Sequence, residues 1–462
     1  MSVERILHYF RAISAIPRRS GDEEAIAAYL LKTGKQLGLE TFRDSGGNVI
    51  LRKPGHGRTR PIILQSHMDM VWESEGAAYE EGVCVRERDG ILYAEHSTLG
   101  ADNGIGMALT LSLLEQEDVT NVEALFTVEE ETSMSGASNL DGSLLSGQQL
   151  INLDSEQDGV FTTSSAGGQS MKLSFPLSRE SVSAPHASAW RLTVSGAKGG
   201  HSGLEINRPH GNAIQILAQW LTLLPGQWSL LSLEGGIRAN AIPVQAEAVI
   251  YAESRESLLK AARIVTQRWR CTESELCLSV GEETVPVSSQ VVSTTCQAGL
   301  PALLAALPHG VLKSSLEMIQ LSCNLARIWT ETDCLCAEIS IRAASAALLE
   351  QETEAIMQIA REYQGESLIY GAYPPWEKTE HSDLERELLH TYRALFGKNA
   401  ICEHVHAGVE CGVLQQRAPF IRDMVSIGPT ITGAHTVHET VERASIEKLE
   451  RLLLSLLMRR GG

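Results

Sequence analysis

Between residues 48 and 154, strand-like runs alternate with a helix-like one, and several strand-like runs stop at ionisable residues. NVILRK and PIILQSHMDM come first, GIGMALTLSLLEQ follows with helical character, and NVEALFTV and QQLINLD come after it. The apolar stretch IILQS is of the kind buried on both faces of a mostly parallel sheet. Strands alternating with helices specify an α/β domain. His67 and Asp69 follow IILQS, Glu129, Glu130 and Glu131 follow ALFTV, and Asp154 follows LINL. Open α/β sheets bind ligands at that carboxyl edge.

At 462 residues the chain exceeds what one core organises, so two domains are expected. A Ser/Ala/Pro-rich stretch, residues 178 to 189, reads as a linker, and YPPWEK, residues 373 to 378, marks a second break. Between them, WRLTVSG, AIQILAQWLTLLP, GIRANAIPVQAEAVIYAE and ESLLKAARIVTQ give a strand, helix, strand, helix order, and CNLARIWTE, CLCAEISIRA and a long helix follow. The tail returns to helix, strand and helix, with Ser445 placed to cap a closing helix that buries Ile446, Leu449, Leu452, Leu453, Leu456 and Leu457. The expected organisation is a first segment 1–185, an inserted α+β domain 186–373, and a second segment 374–462 that completes the first domain. Near the start, Ser20 and Glu23 have the spacing of a capping box opening a second helix.

The formal charge of -18 excludes a nucleic-acid or anionic-membrane partner, which would require a basic stripe. The start, MSVERILHYFRAIS, is an amphipathic helix and not a signal peptide, and no apolar run is long enough to span a bilayer. The nine cysteines are odd in number and scattered, and Cys334 and Cys336 lack CxxC spacing, which fits a reduced, cytoplasmic chain.

The ionisable residues admit plain readings as well as chemical ones. His67 and Asp69, two apart on an extended chain, project to one face, as suits a metal-ligating imidazole oriented by a carboxylate, or a solvated strand end. Asp102 in GADNGIGMA stands where it, or Asn103, would cap a helix, or where its two oxygens would bridge two cations. The three glutamates make a charged turn, or divide metal binding from proton transfer between neighbours that point to opposite faces. Spacing alone leaves 129/130 and 130/131 equally open. Mixed imidazole and carboxylate ligation suits zinc, manganese or cobalt better than calcium. His201 in KGGHSG is a loop histidine near backbone turns, and His435 and His438 follow a late strand.

Taken in order, HMD, TLGADNGIGMA, EEE with Met134, Gly136 and Ala137 after it, INLDSE, GGHSG and GPTITGAH resemble the M20 metallopeptidases, most of all the aminoacyl-histidine or cytosolic non-specific dipeptidases. The similarity spans nearly the whole chain. It implies a mixed-sheet zinc-peptidase catalytic domain, an inserted lid, and a pair of divalent metals, zinc with manganese or cobalt as substitutes. Asp102 would bridge them, with His67 and Asp154 completing one site and Glu131 and His435 the other. Asp69 would orient His67. The residues after the glutamates set the register, so that Glu130 is the general base and acid and Glu129 has no catalytic role. His201 matches the lid histidine that stabilises the oxyanion, Asn240 and Arg342 match lid positions for substrate and its terminal carboxylate, and Gly408 and Glu410 fall where relatives face substrate. Ser133, Ala434, Ala343 and Ala344 depart from the usual pattern without removing a ligand or the base. The implied activity is hydrolysis of unblocked dipeptides, including Xaa-His and carnosine-like ones. The alternatives are an amide hydrolase for N-acyl amino acids or longer peptides and a silent peptide-binding homologue. Small peptides are the implied partners, and the family's dimers make a homodimer one option beside a monomer with an enlarged lid.

Overall fold

A computed structural model describes residues 3–55, 60–181, 188–286, 290–315 and 318–461. The chain divides into two compact units, one of Met1–Ser165, Trp376–Val405 and Val409–Gly462, the other of Ala166–Pro375 with His406–Gly408. The first break thus falls at Ser165 and not at 185. The strand Gly167–Pro176 pairs with Cys334–Ala343 and Glu366–Tyr373 and so belongs to the second unit. Within the expected linker, Arg179–Ser181 is a strand paired with Gln290–Val292, and residues 182–187 lie outside the described part.

In the first unit an eight-stranded mixed sheet runs in the order Glu40–Arg43, Val49–Lys53, Val122–Thr127, Ile62–His67, Gln149–Asn152, Asp423–Ser426, Val160–Ser165, Ile401–Val405. Its four central strands, Val122–Thr127, Ile62–His67, Gln149–Asn152 and Asp423–Ser426, are parallel to their neighbours within this group. Their carboxyl ends therefore share one edge. All six residues of Ile62–His67 and of Val122–Thr127 are buried, as a two-face-covered strand requires. The helix Ala101–Glu115 is apolar on all sides and almost wholly buried, and Glu4–Ser14 packs on it through Ile6, Leu7, Phe10 and Ile13. The closing helix, Arg443–Gly461, buries the six expected apolar positions from Ile446 to Leu457. Ser445 is not its cap. It lies inside the first turn, donates to the Glu442 carbonyl at 2.6 Å and accepts from the Thr430 amide at 2.8 Å.

The second unit holds an antiparallel sheet in the order Cys277–Glu282, Ser188–Ser195, Ala246–Ala252, Trp228–Gly235, Ile319–Thr330, Cys334–Ala343, Gly167–Pro176, Glu366–Tyr373. Along Cys334–Ala343, alternate residues Leu335, Ala337, Ile339, Ile341 and Ala343 enter the core. The segment GIRANAIPVQAEAVIYAE yields a strand only over Ala246–Ala252, and the preceding strand, Trp228–Gly235, was not anticipated. Its alternation is broken by a bulge between Leu230 and Ser232, which hides period-two patterning.

Candidate active site

Asp69 organises the strand ends. It is fully buried; its Oδ1 accepts from the Glu130 amide at 3.0 Å, and its Oδ2 accepts from the Glu131 amide at 3.1 Å and the Ser20 hydroxyl at 2.8 Å. Asp69 Oδ1 also lies 3.4 Å from His67 Nδ1. One carboxylate thus fixes both the imidazole and the glutamate turn. Ser20 and Glu23 do not form the expected capping box: the hydroxyl serves Asp69, while Glu23 Oε1 accepts from the Gly21 and Glu129 amides at 3.0 and 3.1 Å. The helix Glu24–Gln36 has no side-chain cap, because both polar groups are committed to the site's loops.

The imidazole so oriented aims Nε2 at two carboxylates, 2.9 Å from Asp102 Oδ1 and 3.2 Å from Asp154 Oδ1. The other oxygen of Asp102 lies 3.3 Å from His435 Nε2, which is also 3.0 Å from Glu131 Oε2. His67, Asp102 and Asp154 form one group of possible metal donors, Asp102, Glu131 and His435 another, and His67, Glu130 and Glu131 a third. Asp102 is shared between the first two. His438 enters none of the donor groups found among the described residues.

Local structure frees these side chains for the purpose. Neither Asp102 nor Asn103 caps the helix Ala101–Glu115, as the plain sequence reading would have it. The carboxylate of Glu439 takes the amides of Gly100 at 2.8 Å, Ala101 at 2.7 Å and Asp102 at 3.2 Å, while the Asp102–Asn103 peptide is cis. Asn103 donates its side-chain amide to Asp154. Behind the loops, the fully buried Arg18 guanidinium donates to the carbonyls of Met68, Asp69 and Gly100 at 3.0, 2.8 and 2.6 Å. His435 projects from the turn between Ile431–Thr432 and Thr440–Glu442, where its own φ is 63° and that of Gly433 is 68°. Sequence reasoning missed Arg18 and Glu439. The only signal at Arg18 was the preceding Pro17, and Glu439 carries none, since its neighbours His438 and Thr440 mark no turn.

The electrostatics carry an excess of negative charge. Burial alone would depress the His67 imidazolium, yet Asp154, Asp102 and Asp69 together hold its pKa well above the ordinary value. Asp102 and Glu131 raise His435 to about 11. Burial, reinforced by Asp154, Glu410 and Glu131, pushes Glu130 well above the carboxylate range, and burial likewise raises Glu131 and Asp154. Asp69 and Asp102 are lowered: burial opposes ionisation, but His67 and Ser20 outweigh it at Asp69, as do His435 and His67 at Asp102. Glu156, also missed from sequence, is brought to about 7 by burial and by Asp102 and Asp154. A crowd of buried carboxylates with two retained imidazolium charges is a place where divalent cations fit. Glu131 Oε1, buried without a hydrogen-bond partner, adds a free ligand atom.

Glu410, expected beside substrate, has no exposed surface; its Oε2 accepts from Gln65 Nε2 at 2.6 Å and Thr127 Oγ1 at 2.8 Å, burial raises it to about 8, and its charge acts on Glu130.

Within the second unit, three expected residues converge. His201 bridges to Ala241, the Ser202 amide donates to the Asn240 carbonyl at 2.9 Å, and a side chain at Gly203 would meet His201 Cε1 at 3.1 Å and Arg342 Cζ at 3.3 Å. Burial and the Arg342 charge lower the His201 pKa. Arg342 Nη1 donates to the Tyr373 hydroxyl at 2.6 Å, and a side chain at Gly408 would strike the same tyrosine ring at 2.8 Å. Tyr373 is a further residue that sequence reasoning missed.

The profile of peptidase family M20/M25/M40 matches residues 63–459. The cytosol non-specific dipeptidase of Escherichia coli (strain K12) is 32% identical over an alignment of 486 residues that takes in 99% of this chain and 98% of that protein. The crystal structure of aminoacylhistidine dipeptidase from Vibrio alginolyticus superposes with a TM-score of 0.87 at 28% identity, covering 98% of this chain and 96% of that one. A tripeptidase from Staphylococcus aureus shares the fold, with a TM-score of 0.57 at 16% identity over 99% of each chain. No helix among the described residues is long and apolar enough to cross a membrane. The chain belongs to peptidase family M20/M25/M40.

Proposed function

We propose that this protein is a cytoplasmic metal-dependent dipeptidase that hydrolyses unblocked dipeptides, Xaa-His and carnosine-like ones among them, with zinc in two adjoining positions. The observation that carries the reading is Asp102, whose two oxygens each face a separate histidine–carboxylate group. Two imidazoles with carboxylates and no thiol suit zinc, with manganese or cobalt as substitutes. The names of the E. coli and Vibrio relatives, a non-specific and an aminoacylhistidine dipeptidase, support the substrate class.

His67 and Asp154 would hold one cation, Glu131 and His435 the other, and Asp102 both. When bound, the pair would supply Lewis acidity toward a carbonyl oxygen and bring the pKa of water to near neutral. Glu130 stands beside Glu131 with its amide pinned to Asp69, and takes the proton of the attacking water before handing it to the departing amine. Its raised affinity for a proton suits both halves of that task. Asp69 keeps the His67 ring in one orientation. His201 would donate to the developing oxyanion, a contribution of about 3 kcal/mol for one well-placed donor. Arg342, braced by Tyr373, would bind the terminal carboxylate, with Asn240 and Gly408 shaping the substrate's place.

A panel of a free dipeptide, its N-blocked counterpart and a tripeptide tests the assignment. Turnover confined to the free dipeptide is expected. Comparable kcat/KM on the blocked compound or the tripeptide would replace it with a broader amide hydrolase.

A further inference from the structure

The hairpin joining Ile319–Thr330 to Cys334–Ala343 carries a group of donors that peptide hydrolysis leaves unused. Cys334 and Cys336 are two apart on a strand, so both thiols leave the face opposite Leu335 and Ala337, which lie in the core. The two sulfurs are 3.6 Å apart. Cys334 Sγ lies 3.6 Å from Glu331 Oε2, and Cys336 Sγ lies 3.6 Å from Glu331 Oε1. A tetrahedral cation with metal–sulfur bonds of about 2.3 Å and metal–oxygen bonds of about 2.1 Å has edges of roughly 3.6 to 3.8 Å. The sulfur–sulfur edge is thus already at the required length, and each sulfur stands at edge distance from one oxygen of the same carboxylate, with one donor atom from each of the three residues within 4.8 Å of the others.

The donors are also held in advance. Trp329 Nε1 donates to Glu331 Oε1 at 2.9 Å, which fixes the carboxylate. Arg179 donates to the turn carbonyls of Thr332 at 2.7 Å and Glu331 at 3.0 Å, and the Leu177 amide to that of Asp333 at 2.7 Å. Cys336 is buried, Cys334 half-buried and Glu331 exposed, which leaves the fourth corner to solvent. Lys172 Nζ, 3.9 Å from Glu331 Oε1, is a weak competitor on a flexible stem.

We propose that Glu331, Cys334 and Cys336 form a third cation site, selective for thiophilic divalent ions of the zinc and cadmium type. Paired thiolates favour such ions over magnesium or calcium. Binding exchanges the two thiol protons for one cation, and both protons leave to buffer. The CxC spacing fails the CxxC pattern of turn-borne zinc sites. On a strand, spacing of two is the one that puts adjacent sulfurs side by side.

The test uses enzyme already loaded with its two active-site metals, titrated with cadmium and followed by thiolate-to-cadmium absorption and by metal content after gel filtration. Expected is one further equivalent with the absorption band. Cys334→Ser should lose both while hydrolysing dipeptides at the parental rate. Glu331→Gln, which leaves the thiols in place, should keep the band but weaken binding about 10-fold. A band of undiminished size in Cys334→Ser would assign cadmium to other cysteines, such as the exposed Cys84, Cys271 and Cys277, and would overturn the proposal. So would parental affinity in Glu331→Gln, or wild-type protein that takes up no further equivalent.

Discussion

The two units bury ionisable groups to opposite ends. The first gathers Asp69, Asp102, Glu130, Glu131 and Asp154 at the carboxyl edge of parallel strands and leaves their charge to be offset by His67, His435 and whatever cation binds there. The second packs an apolar sheet face and pairs charge that it buries, as at Glu338, which accepts from Arg327 Nη1 at 3.3 Å, while burial depresses the His309 imidazole to about 4. The difference predicts that a bound cation contributes more to the stability of the first unit than to that of the second. Parallel strands bring many carboxyl ends to one edge, and an antiparallel sheet sends alternate strand ends to opposite edges.

The sharpest break in that contrast lies at the base. Glu130→Gln keeps the shape and the metal donors but cannot take a proton. A loss of about 10^3-fold in kcat is expected, with metal content unchanged. Parental turnover in a variant that holds both metals would remove Glu130 from the mechanism.

Metal removal comes next, read region by region through amide hydrogen exchange. Chelation should open the strand ends of the first unit by roughly 4 kcal/mol if the cations are normally present at ~1,000 times their dissociation constant, and leave the second unit's protection untouched. The pH dependence then has opposite signs in the two forms. A group whose folded pKa is raised stabilises fully below its unfolded value and loses that contribution as pH rises through the folded one. With Glu410 at about 8 and His435 at about 11, the metal-free first unit should weaken steadily from pH 5 to pH 9. The loaded form should strengthen over the same range, because cations displace protons from the same ligands. In the second unit His309 is depressed, so its contribution is present above about pH 6.5 and is lost as pH falls toward 4. His309→Asn should flatten that acid limb alone. Parallel pH curves for loaded and metal-free protein would contradict the contrast.

Much of the first unit was legible because its signals are local. The strand IILQS announces its burial, and the residues after it are the ligands' neighbours. The sequence does not show the supporting hydrogen bonds between residues far apart along the chain. Ser20 and Glu23 satisfy a local capping pattern, yet Asp69, forty-nine residues on, takes the hydroxyl, and the Glu129 amide takes the carboxylate. The same holds for Glu439, which caps from 337 to 339 residues away, and for Tyr373 beneath Arg342. A short pattern states which partners are in reach along the chain. It says nothing of the competitor that folding brings closer. The second unit was less legible still: a bulge hid one strand, and its boundary fell between two strands separated by Ala166 alone, too short a break to read as a linker.

Ser20→Ala measures what one such long-range bond is worth. It removes the hydroxyl donor at 2.8 Å from a fully buried carboxylate that keeps both of its amide donors. A hydrogen bond to a charged group contributes about 1.5 to 3 kcal/mol, and partial compensation by the remaining donors places the expected loss near the lower figure, about 10-fold in kcat/KM. The stability of the helix Glu24–Gln36 should not change, since the serine does not cap it. A variant that frays this helix and spares activity would restore the capping box.

The smallest effect is expected one residue before the base. Glu129 holds φ of 52°, accepts from Ser133 and Ser135 at 2.9 and 2.5 Å, and donates its own amide to Glu23. Its side chain therefore tethers the turn locally and enters no donor group among the described residues. Glu129→Ala loses the two serine bonds and keeps the left-handed strain of a side-chain-bearing residue, so a loss of about 1 kcal/mol in local stability is expected, with kcat within about 2-fold of the parent. Glu129→Gly loses the same bonds but relieves the strain, and should recover part of that stability. The pair separates backbone from chemistry: a drop in kcat common to both, approaching that of Glu130→Gln, would move the base one residue earlier and shift the whole register of the three glutamates with it.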